Sequence, residues 1–401
     1  MLPRTQTELE PIELVVVQGT GFCNLNCKYC YLTEESRRNK EKLSIADLRM
    51  YFQKILASQF VKDKLVVSWH SGEPLVLGTE YYEEAIGAIS EIASDAKGQH
   101  FEILHDFQTN GTLIDKEWCD FFQKHADYVS VGISCDGPEE LHDAYRLGWN
   151  GGGSFEKTMR GINLLIEHRV VFSLIAVVSP LALENPEKFF EFFNKYRDYI
   201  SEFRYNLLDE FTDSGEFSYE VARESYASFL WYILDRLSNQ EAEDTLLNVK
   251  NFSYFYERLF ATGDLKRKLS ANYMSSPLRS LTLSSNGEVS TFYAGVSIDE
   301  CPDIYGDGKG LVIGSLKTES IDQITASDKL YDLMGVFNRS HSVCQRSCSH
   351  FDLCPGGYNL IKLKRNGSLE SGETPECMIQ VQTFADTLME HMSKNLPVTS
   401  K

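Results

Sequence analysis

Residues 14–31 read Leu-Val-Val-Val-Gln-Gly-Thr-Gly-Phe-Cys-Asn-Leu-Asn-Cys-Lys-Tyr-Cys-Tyr, and this stretch decides the fold. The apolar run Leu14–Val17 predicts a buried β-strand. The loop after it carries Cys23, Cys27 and Cys30. Three thiolates can hold one iron–sulfur cluster and leave its fourth iron open to a ligand. A zinc loop or three unrelated buried thiols is the alternative, but zinc loops prefer two pairs of ligands to an isolated trio.

Short apolar runs alternate with helical patterns as far as residue 208. Strands are predicted at residues 13–18, 65–69, 101–108, 128–134, 171–178 and 202–208. Helices are predicted at residues 44–57, 80–93, 116–124, 155–167 and 186–196. Six such repeats predict an α/β fold with a parallel sheet, either doubly wound or a partial barrel. The three cysteines follow the first strand and so fall on the face where such folds place their active sites.

Composition limits the class of protein. A chain of 401 residues with 42% hydrophobic content can form two or three domains. Its net charge of −19 and lack of a basic block argue against nucleic acid as a partner. The N-terminus has no apolar signal segment, and no apolar run approaches the roughly 20 residues of a membrane helix. We therefore expect a cytoplasmic protein without a membrane partner, whose ten cysteines serve metal or cluster ligation rather than disulfides.

The second half of the chain has a different pattern. Aromatic-rich helical segments predict a bridge at residues 209–279, with the aromatic side chains more readily explained as core than as a peptide groove. A hairpin is predicted over Ser280–Tyr293, turning at Asn286-Gly287. The predicted division is thus residues 1–208, 209–279 and 280–401, the last with a terminal helix.

Four further cysteines lie close together in the last part of the chain, at Cys344, Cys348, Cys354 and Cys377. By count alone, four thiolates suit a structural zinc ion or a 4Fe–4S cluster equally. The iron interpretation gains from the first motif, which already indicates an iron–sulfur cluster in the same chain.

The Cys-x3-Cys-x2-Cys loop, with Tyr29 before the last cysteine, resembles the signature of the radical SAM (S-adenosylmethionine) superfamily. The resemblance implies an enzyme with a partial (β/α)6 TIM-like barrel. It also implies that a 4Fe–4S cluster on Cys23, Cys27 and Cys30 binds SAM through its open iron. Reductive cleavage of SAM would then give a 5′-deoxyadenosyl radical.

Five residues match the family's SAM-binding segments. Gly72 and Glu73 lie in a Ser-Gly-Glu-Pro turn that resembles the family's Gly-Gly-Glu-Pro motif, in which the glutamate holds the SAM ammonium. Asn110 and Ser134 end the third and fourth predicted strands. Arg146 matches an arginine that clamps the SAM carboxylate, for which its planar fork is suited.

Cys354-Pro-Gly-Gly357 and Cys377 resemble the SPASM domain, a C-terminal module of radical SAM peptide maturases that often holds two auxiliary clusters. Family spacing would place further ligands near Phe292 and Tyr358, and neither is a cysteine. The resemblance therefore predicts one auxiliary 4Fe–4S cluster, fully ligated by Cys344, Cys348, Cys354 and Cys377. Cys301 has no assigned role and is interpreted as a buried thiol, with a ligand role as the alternative.

Several segments are most similar to the cyclophane-forming GrrM/OscB group, although this chain departs from it after the hairpin. The similar segments are Trp69–Pro74, Gln108–Ile114, Trp118–Phe122, Thr158–Ile162 and Cys344–Phe351. After the hairpin, Thr291–Val296 differs from the group's Thr-Phe-Ser-Pro-Glu-Leu. The resemblance implies a carbon–carbon crosslink between an aromatic ring and a side-chain β-carbon in a ribosomally synthesised precursor peptide.

This reaction requires further components. A cellular one-electron reductant of the flavodoxin or ferredoxin type would supply the electron that starts it. The auxiliary cluster would take the electron that the substrate loses, and a base would take the proton. Asp209 and Glu210, just past the sixth strand, are candidates for that base, with a solvated loop as the alternative.

Two other functions stay open. A thioether-forming maturase would link a cysteine sulfur to a peptide carbon, and its auxiliary cluster often keeps an exchangeable position. A protein of a different class would be a non-catalytic iron–sulfur or zinc protein that binds a peptide. Sulfatase maturation is disfavoured by the two missing auxiliary cysteines.

Overall fold

A computed structural model describes residues 10–96, 100–208, 219–239, 246–269, 276–291 and 303–395. Its strands are β1 (Ile12–Gln18), β2 (Val61–Trp69), β3 (Glu102–Thr109), β4 (Val129–Ser134), β5 (Phe172–Val178), β6 (Ile200–Leu207), β7 (Ser280–Ser284), β8 (Glu288–Ser290) and β9 (Val312–Ser315). Its helices up to residue 194 are α1 (Glu34–Arg38), α2 (Ile45–Leu56), α3 (Thr79–Asp95), α4 (Lys116–Lys124), α5 (Glu139–His142), α6 (Phe155–Glu167), α7 (Pro180–Leu183) and α8 (Pro186–Asn194), with a 3-10 turn at Pro74–Leu77. The later helices are α9 (Tyr219–Ser238), α10 (Lys250–Leu259), α11 (Gly263–Lys268), α12 (Ile321–Thr325), α13 (Asp328–Ser347), α14 (Asn359–Asn366), α15 (Pro375–Cys377) and α16 (Phe384–Asn395), with a π-helical turn at Met378–Thr383.

The chain folds into two compact units. The first comprises Met1–Ile133, Arg146–Val170 and Asn272–Asn338. Its sheet has parallel strands in the order β4, β3, β2, β1 and β7, followed by antiparallel β8 and β9. In register, Val15 lies opposite Val67, and Val67 lies opposite His105. The run Val15–Val17 is completely buried, as expected for a strand inside a parallel sheet.

The hairpin of β7 and β8 confirms the turn predicted from Asn286-Gly287. Gly287 has a φ of +84°, which L-residues rarely adopt. A Cβ at this position would also lie 2.6 Å from the hydroxyl oxygen of Tyr51. Glycine is therefore required here by both the backbone conformation and the close approach of α2.

The second unit comprises Ser134–Tyr145, Val171–Ala271 and Arg339–Lys401. Its strands β5 and β6 pair in parallel, with Ala176 opposite Tyr205. Phe193 stacks on Phe203 with 4.1 Å between ring centroids, and Phe229 of α9 packs edge-on to Phe189. Phe229 and Tyr226 are buried, so these two aromatic side chains of α9 contribute to this unit's core rather than to an open groove.

The α/β fold with parallel strands is confirmed, including all six predicted strands of residues 12–207. The N-terminal end of α2 agrees with its prediction, because the hydroxyl of Ser44 accepts a hydrogen bond from the Asp47 amide at 3.0 Å. The threefold division into residues 1–208, 209–279 and 280–401 stays a prediction. Across the part of the chain that the structure describes, none of the helices has the length and apolar character needed to span a bilayer.

Candidate functional site

The loop that carries the first three cysteines follows β1 and is held by main-chain hydrogen bonds on two sides. The amide of Cys23 donates to the carbonyl of Arg37 at 3.0 Å. On the other side, the amide of Asn26 donates to the carbonyl of Leu147 at 2.7 Å, beside a β-bridge between Leu25 and Gly148. This backbone framework fixes the loop through segments distant in sequence.

The three thiols lie close enough to act on one another. The pKa of Cys23 is raised to about 12, chiefly by burial and also by the charges of Glu73, Cys27 and Cys30, while a hydrogen bond from the Leu25 amide opposes the rise. A positively charged iron would compensate this desolvation and favour the thiolate. Three cysteine sulfurs of this kind fit a cluster with one open iron.

No three His, Cys, Asp or Glu side chains among the described residues surround a point as closely as a single metal ion requires. The thiolates of a 4Fe–4S cluster bind different irons and so stand farther apart than the ligands of one ion.

The Ser-Gly-Glu-Pro turn packs directly against this loop. The amide of Glu73 donates to the carbonyl of Phe22 at 2.8 Å. Gly72 has a φ of +58°, and a Cβ on it would lie 2.5 Å from the Phe22 oxygen and 2.7 Å from the Thr20 oxygen. Gly72 therefore permits the close approach of turn and loop. Ser71 has a φ of +88°, a strained conformation for a residue other than glycine.

Glu73 is buried, and three donors hold its carboxylate. Its Oε1 accepts from the Thr109 hydroxyl at 2.6 Å and from the Leu75 amide at 3.0 Å. Its Oε2 accepts from the Asn110 amide at 2.8 Å. Burial raises the pKa of Glu73, while these hydrogen bonds and the charge of Arg146 oppose that rise. A carboxylate has about four acceptor positions, so Oε2 retains one for an ammonium group.

Asn110 and Arg146 lie near this carboxylate, and their contacts with SAM stay predictions. The Asn110 side chain donates to the Asn24 side-chain oxygen at 2.9 Å, and its amide nitrogen lies 4.0 Å from the Cys23 sulfur. The Arg146 guanidinium lies 5.5 Å from the centre of the Tyr29 ring, beside the last cysteine of the loop. The structure thus brings Gly72, Glu73, Asn110 and Arg146 around one cysteine loop.

The roles of the other predicted site residues stay predictions. Ser134 is the last residue of β4 and is half-buried, and its contact with SAM stays a prediction. Asp209, Glu210 and Cys301 lie outside the described residues.

Trp149 was not predicted to support the site. Its indole N–H donates to the carbonyl of Cys23 at 2.9 Å, and the guanidinium carbon of Arg38 lies 3.9 Å from the ring centre. A single tryptophan in a glycine-rich loop carries no sequence signal for this role. Thr109, which holds Glu73, was likewise missed, although it precedes the predicted Asn110.

The second set of cysteines lies entirely within the second unit. Burial raises the pKa of Cys377 to about 12, with further contributions from the charges of Cys354, Cys348 and Cys344. Burial also raises the pKa of Cys354, and the charges of Cys344 and Cys348 add to the effect. The four thiols are therefore neighbours, and as a four-cysteine donor set they fit a fully ligated 4Fe–4S cluster.

Comparisons with known proteins agree with this geometry. Residues 17–193 match the family model described as Radical SAM superfamily. An uncharacterised protein of Synechocystis sp. is 30% identical over 97% of this chain and 94% of its own length. A cysteine-type anaerobic sulfatase-maturating enzyme of Clostridium perfringens is 23% identical over 87% of this chain and 89% of its own.

Two groups of solved structures share the fold. The structure described as native anSMEcpe with bound AdoMet and Cp18Cys peptide has a TM-score of 0.72 and 20% identity, over 96% of both chains. The SuiB structure of Streptococcus suis with its precursor peptide SuiA has a TM-score of 0.64 and 17% identity, over 92% of this chain and 76% of SuiB. With its cysteine loop, glutamate turn and parallel sheet, this chain belongs to the radical SAM superfamily and is an enzyme.

Proposed function

We propose that this enzyme is a peptide maturase that installs a cyclophane crosslink in a ribosomally synthesised precursor peptide. The new bond would join an aromatic ring carbon to a side-chain β-carbon. Similarity over most of the chain to a sulfatase-maturating enzyme and to SuiB, which was solved with a precursor peptide, supports a polypeptide substrate. The segments that resemble the GrrM/OscB group support the crosslink.

In this proposal the first site holds SAM and a 4Fe–4S cluster. Cys23, Cys27 and Cys30 ligate the cluster. Glu73 accepts a hydrogen bond from the SAM ammonium at its remaining Oε2 position, and Arg146 pairs with the SAM carboxylate. When bound together, these cofactors supply a 5′-deoxyadenosyl radical that removes a hydrogen atom from the peptide. Asp209 or Glu210 takes the proton that the substrate releases.

The observation that carries the choice of reaction is the second set of cysteines. Cys344, Cys348, Cys354 and Cys377 lie in one compact unit, and four thiolates would suit one fully ligated auxiliary cluster. With four thiolates bound, such a cluster has no open iron for a substrate sulfur. It suits an outer-sphere acceptor of one electron, which crosslinking to an aromatic ring requires, and it disfavours thioether formation through a bound sulfur.

The test is coexpression of the enzyme with the short peptide encoded beside its gene, followed by high-resolution tandem mass spectrometry. We expect the peptide to lose two hydrogens per crosslink, with fragmentation blocked between an aromatic and a nearby residue. All thiols should remain open to alkylation. A variant with Cys23, Cys27 and Cys30 all replaced by Ala is the control and should leave the mass unchanged.

Other outcomes would contradict the proposal in distinguishable ways. Loss of an alkylatable thiol would indicate a thioether. A loss of two hydrogens confined to one residue, together with an aldehyde that reacts with a hydrazine, would indicate oxidation of a single residue. Similarity to sulfatase-maturating enzymes is the reason to test for this outcome. Failure of the reduced protein to cleave SAM would indicate a non-catalytic peptide-binding protein.

A further inference from the structure

Lys362 is a buried lysine beside the second set of cysteines. It lies in α14, and only 4% of its surface is exposed. Its ammonium nitrogen donates to the hydroxyl of Ser340 at 2.9 Å and to the sulfur of Cys344 at 3.2 Å. Ser340 is itself fully buried and donates to the Asn359 side-chain oxygen at 3.1 Å. Side chains from α13 and α14 therefore hold the ammonium against one cysteine sulfur.

Lysine is rarely buried without an anionic partner, because desolvating its charge is costly. Neither of its two partners here is a carboxylate. A thiolate that ligates iron would supply the missing negative charge, and the N–H···S hydrogen bond would then be charge-assisted. The arrangement is thus best explained by a charged cluster on Cys344 and its three companions.

We propose that Lys362 raises the reduction potential of the auxiliary cluster and so makes it the acceptor of the electron that the substrate loses. Reduction adds one negative charge to a cluster, and a neighbouring cation stabilises the reduced form more than the oxidised form. Net charge, hydrogen bonds to sulfur and solvent exposure are the features that set such potentials. Lys362 adds a positive charge beside the cluster and donates a hydrogen bond to a cluster sulfur. Because Lys362 is buried, water screens its charge only weakly.

The role in electron transfer rests on the proposed function, whereas the effect on potential does not. In crosslinking, the peptide gives a hydrogen atom to the deoxyadenosyl radical, which becomes 5′-deoxyadenosine. The carbon radical then bonds to the ring, and the ring regains aromaticity by releasing a proton to a base and one electron to the oxidised cluster. The peptide thus breaks two C–H bonds and forms one C–C bond. The acceptor's potential governs the last step.

The experiment is an anaerobic redox titration of the full chain, followed by electron paramagnetic resonance. Replacing Cys23, Cys27 and Cys30 with Ala leaves only the auxiliary cluster signal. In that background we compare Lys362 with Lys362→Met and Lys362→Gln. We expect the ratio of reduced to oxidised cluster at a fixed potential to fall about tenfold in both variants, which is about 59 mV for a one-electron couple. An unchanged ratio would overturn the proposal.

A matched control lies two residues away. Lys364 is on the same helix but exposed, so Lys364→Met should leave the ratio unchanged. An equal fall in Lys364→Met would show a general charge effect and contradict a specific role for Lys362. Iron analysis accompanies each titration, and zinc in place of iron at these cysteines would also refute the proposal.

A measurement without any substitution at Lys362 guards against variants that fail to assemble the cluster. With ¹⁵N-labelled lysine, pulsed electron paramagnetic resonance of the reduced auxiliary cluster should detect coupling to one ammonium nitrogen. Absence of that coupling would contradict the hydrogen bond to Cys344. Mass spectrometry of the peptide tests the crosslink independently, so the two proposals can fail separately.

Discussion

The protonation state of Glu73 is set by opposing effects of its surroundings. Burial favours its neutral form, whereas the Thr109 hydroxyl, the Asn110 and Leu75 amides, and the charge of Arg146 favour its carboxylate. A buried carboxylate held by preorganised donors needs little rearrangement to accept one more hydrogen bond. The turn that carries it is also held against the cysteine loop, because Gly72 allows the two backbones to approach closely.

A second residue, His105, makes the first unit sensitive to acid. Its ring stacks on Trp69 and accepts a hydrogen bond from the indole N–H at 3.3 Å, assuming the tautomer with an unprotonated Nδ1. Burial lowers the pKa of His105 to about 3, and the charge of His125 adds to this. Between this value and the pKa of about 6.5 in an unfolded chain, only the unfolded state binds the proton. Stability is therefore lost as the pH falls below about 6.5.

We predict that His105→Gln flattens this dependence. When only the unfolded state binds the proton, this one site changes the free energy of unfolding by about 1.4 kcal/mol per pH unit. The wild-type protein should therefore lose about 2 kcal/mol of stability between pH 6.5 and 5. Anaerobic denaturant unfolding at several pH values would measure the difference between the wild-type protein and the variant. Exposed His100, changed to Gln, is the control and should leave the slope as it was. Parallel curves for wild type and His105→Gln would contradict the prediction.

Among the elements, α6 positions the turn that follows β3. The Thr158 hydroxyl donates to the carbonyl of Asn110 at 3.0 Å. One turn later, Gly161 meets the carbonyl oxygen of Gly111 so closely that an added Cβ would clash with it. The helix thereby presses on the turn that supplies the Asn110 amide to Glu73.

We predict that Gly161→Ala displaces this turn. Overpacking of this kind costs about 1–3 kcal/mol of stability, and the shift should also weaken SAM binding. Denaturant unfolding and equilibrium dialysis with SAM would measure the two effects. The matched control is Gly87→Ala in α3, where an added Cβ meets nothing within 4 Å.

Gly87→Ala should change the free energy of unfolding in the opposite direction to Gly161→Ala. Alanine stabilises a helix interior by up to about 1 kcal/mol relative to glycine. This variant should therefore be more stable than the wild-type protein and bind SAM as the wild-type protein does. If both variants behave alike, helix propensity rather than contact with Gly111 would explain the effect at position 161.

At the scale of the whole molecule, the two cysteine sets belong to different compact units. Cys23, Cys27 and Cys30 lie in the first unit, and Cys344 to Cys377 lie in the second. All the cysteines of each set come from one unit. Each cluster should therefore assemble without the ligands of the other.

We predict that the iron content divides accordingly. The wild-type protein should hold about eight iron atoms per chain, as two 4Fe–4S clusters would require. Replacing Cys23, Cys27 and Cys30 with Ala should leave about half, and replacing the other four cysteines should leave the other half. Iron and sulfide analysis after anaerobic reconstitution would measure this. Loss of all iron in either variant would argue against independent assembly.

The sequence by itself determined the candidate cysteine residues and the order of the elements. Cys23, Cys27 and Cys30 are close in the chain, so covalent spacing already places their thiols together. The alternation of apolar runs and helical patterns predicted the parallel strands, because those periods follow from local backbone geometry. Asn286-Gly287 likewise predicted its hairpin from a local conformational requirement.

Only the tertiary structure decided which side chains support this chemistry. The Glu73 carboxylate meets the Asn110 amide across 37 positions, and the Trp149 indole meets the Cys23 carbonyl across 126. Lys362 reaches the Cys344 sulfur from another helix. Such contacts depend on how distant segments pack, and no local period or spacing encodes them. That is why the sequence alone predicted the cysteines as candidate ligands, whereas only the structure identified the residues that support them.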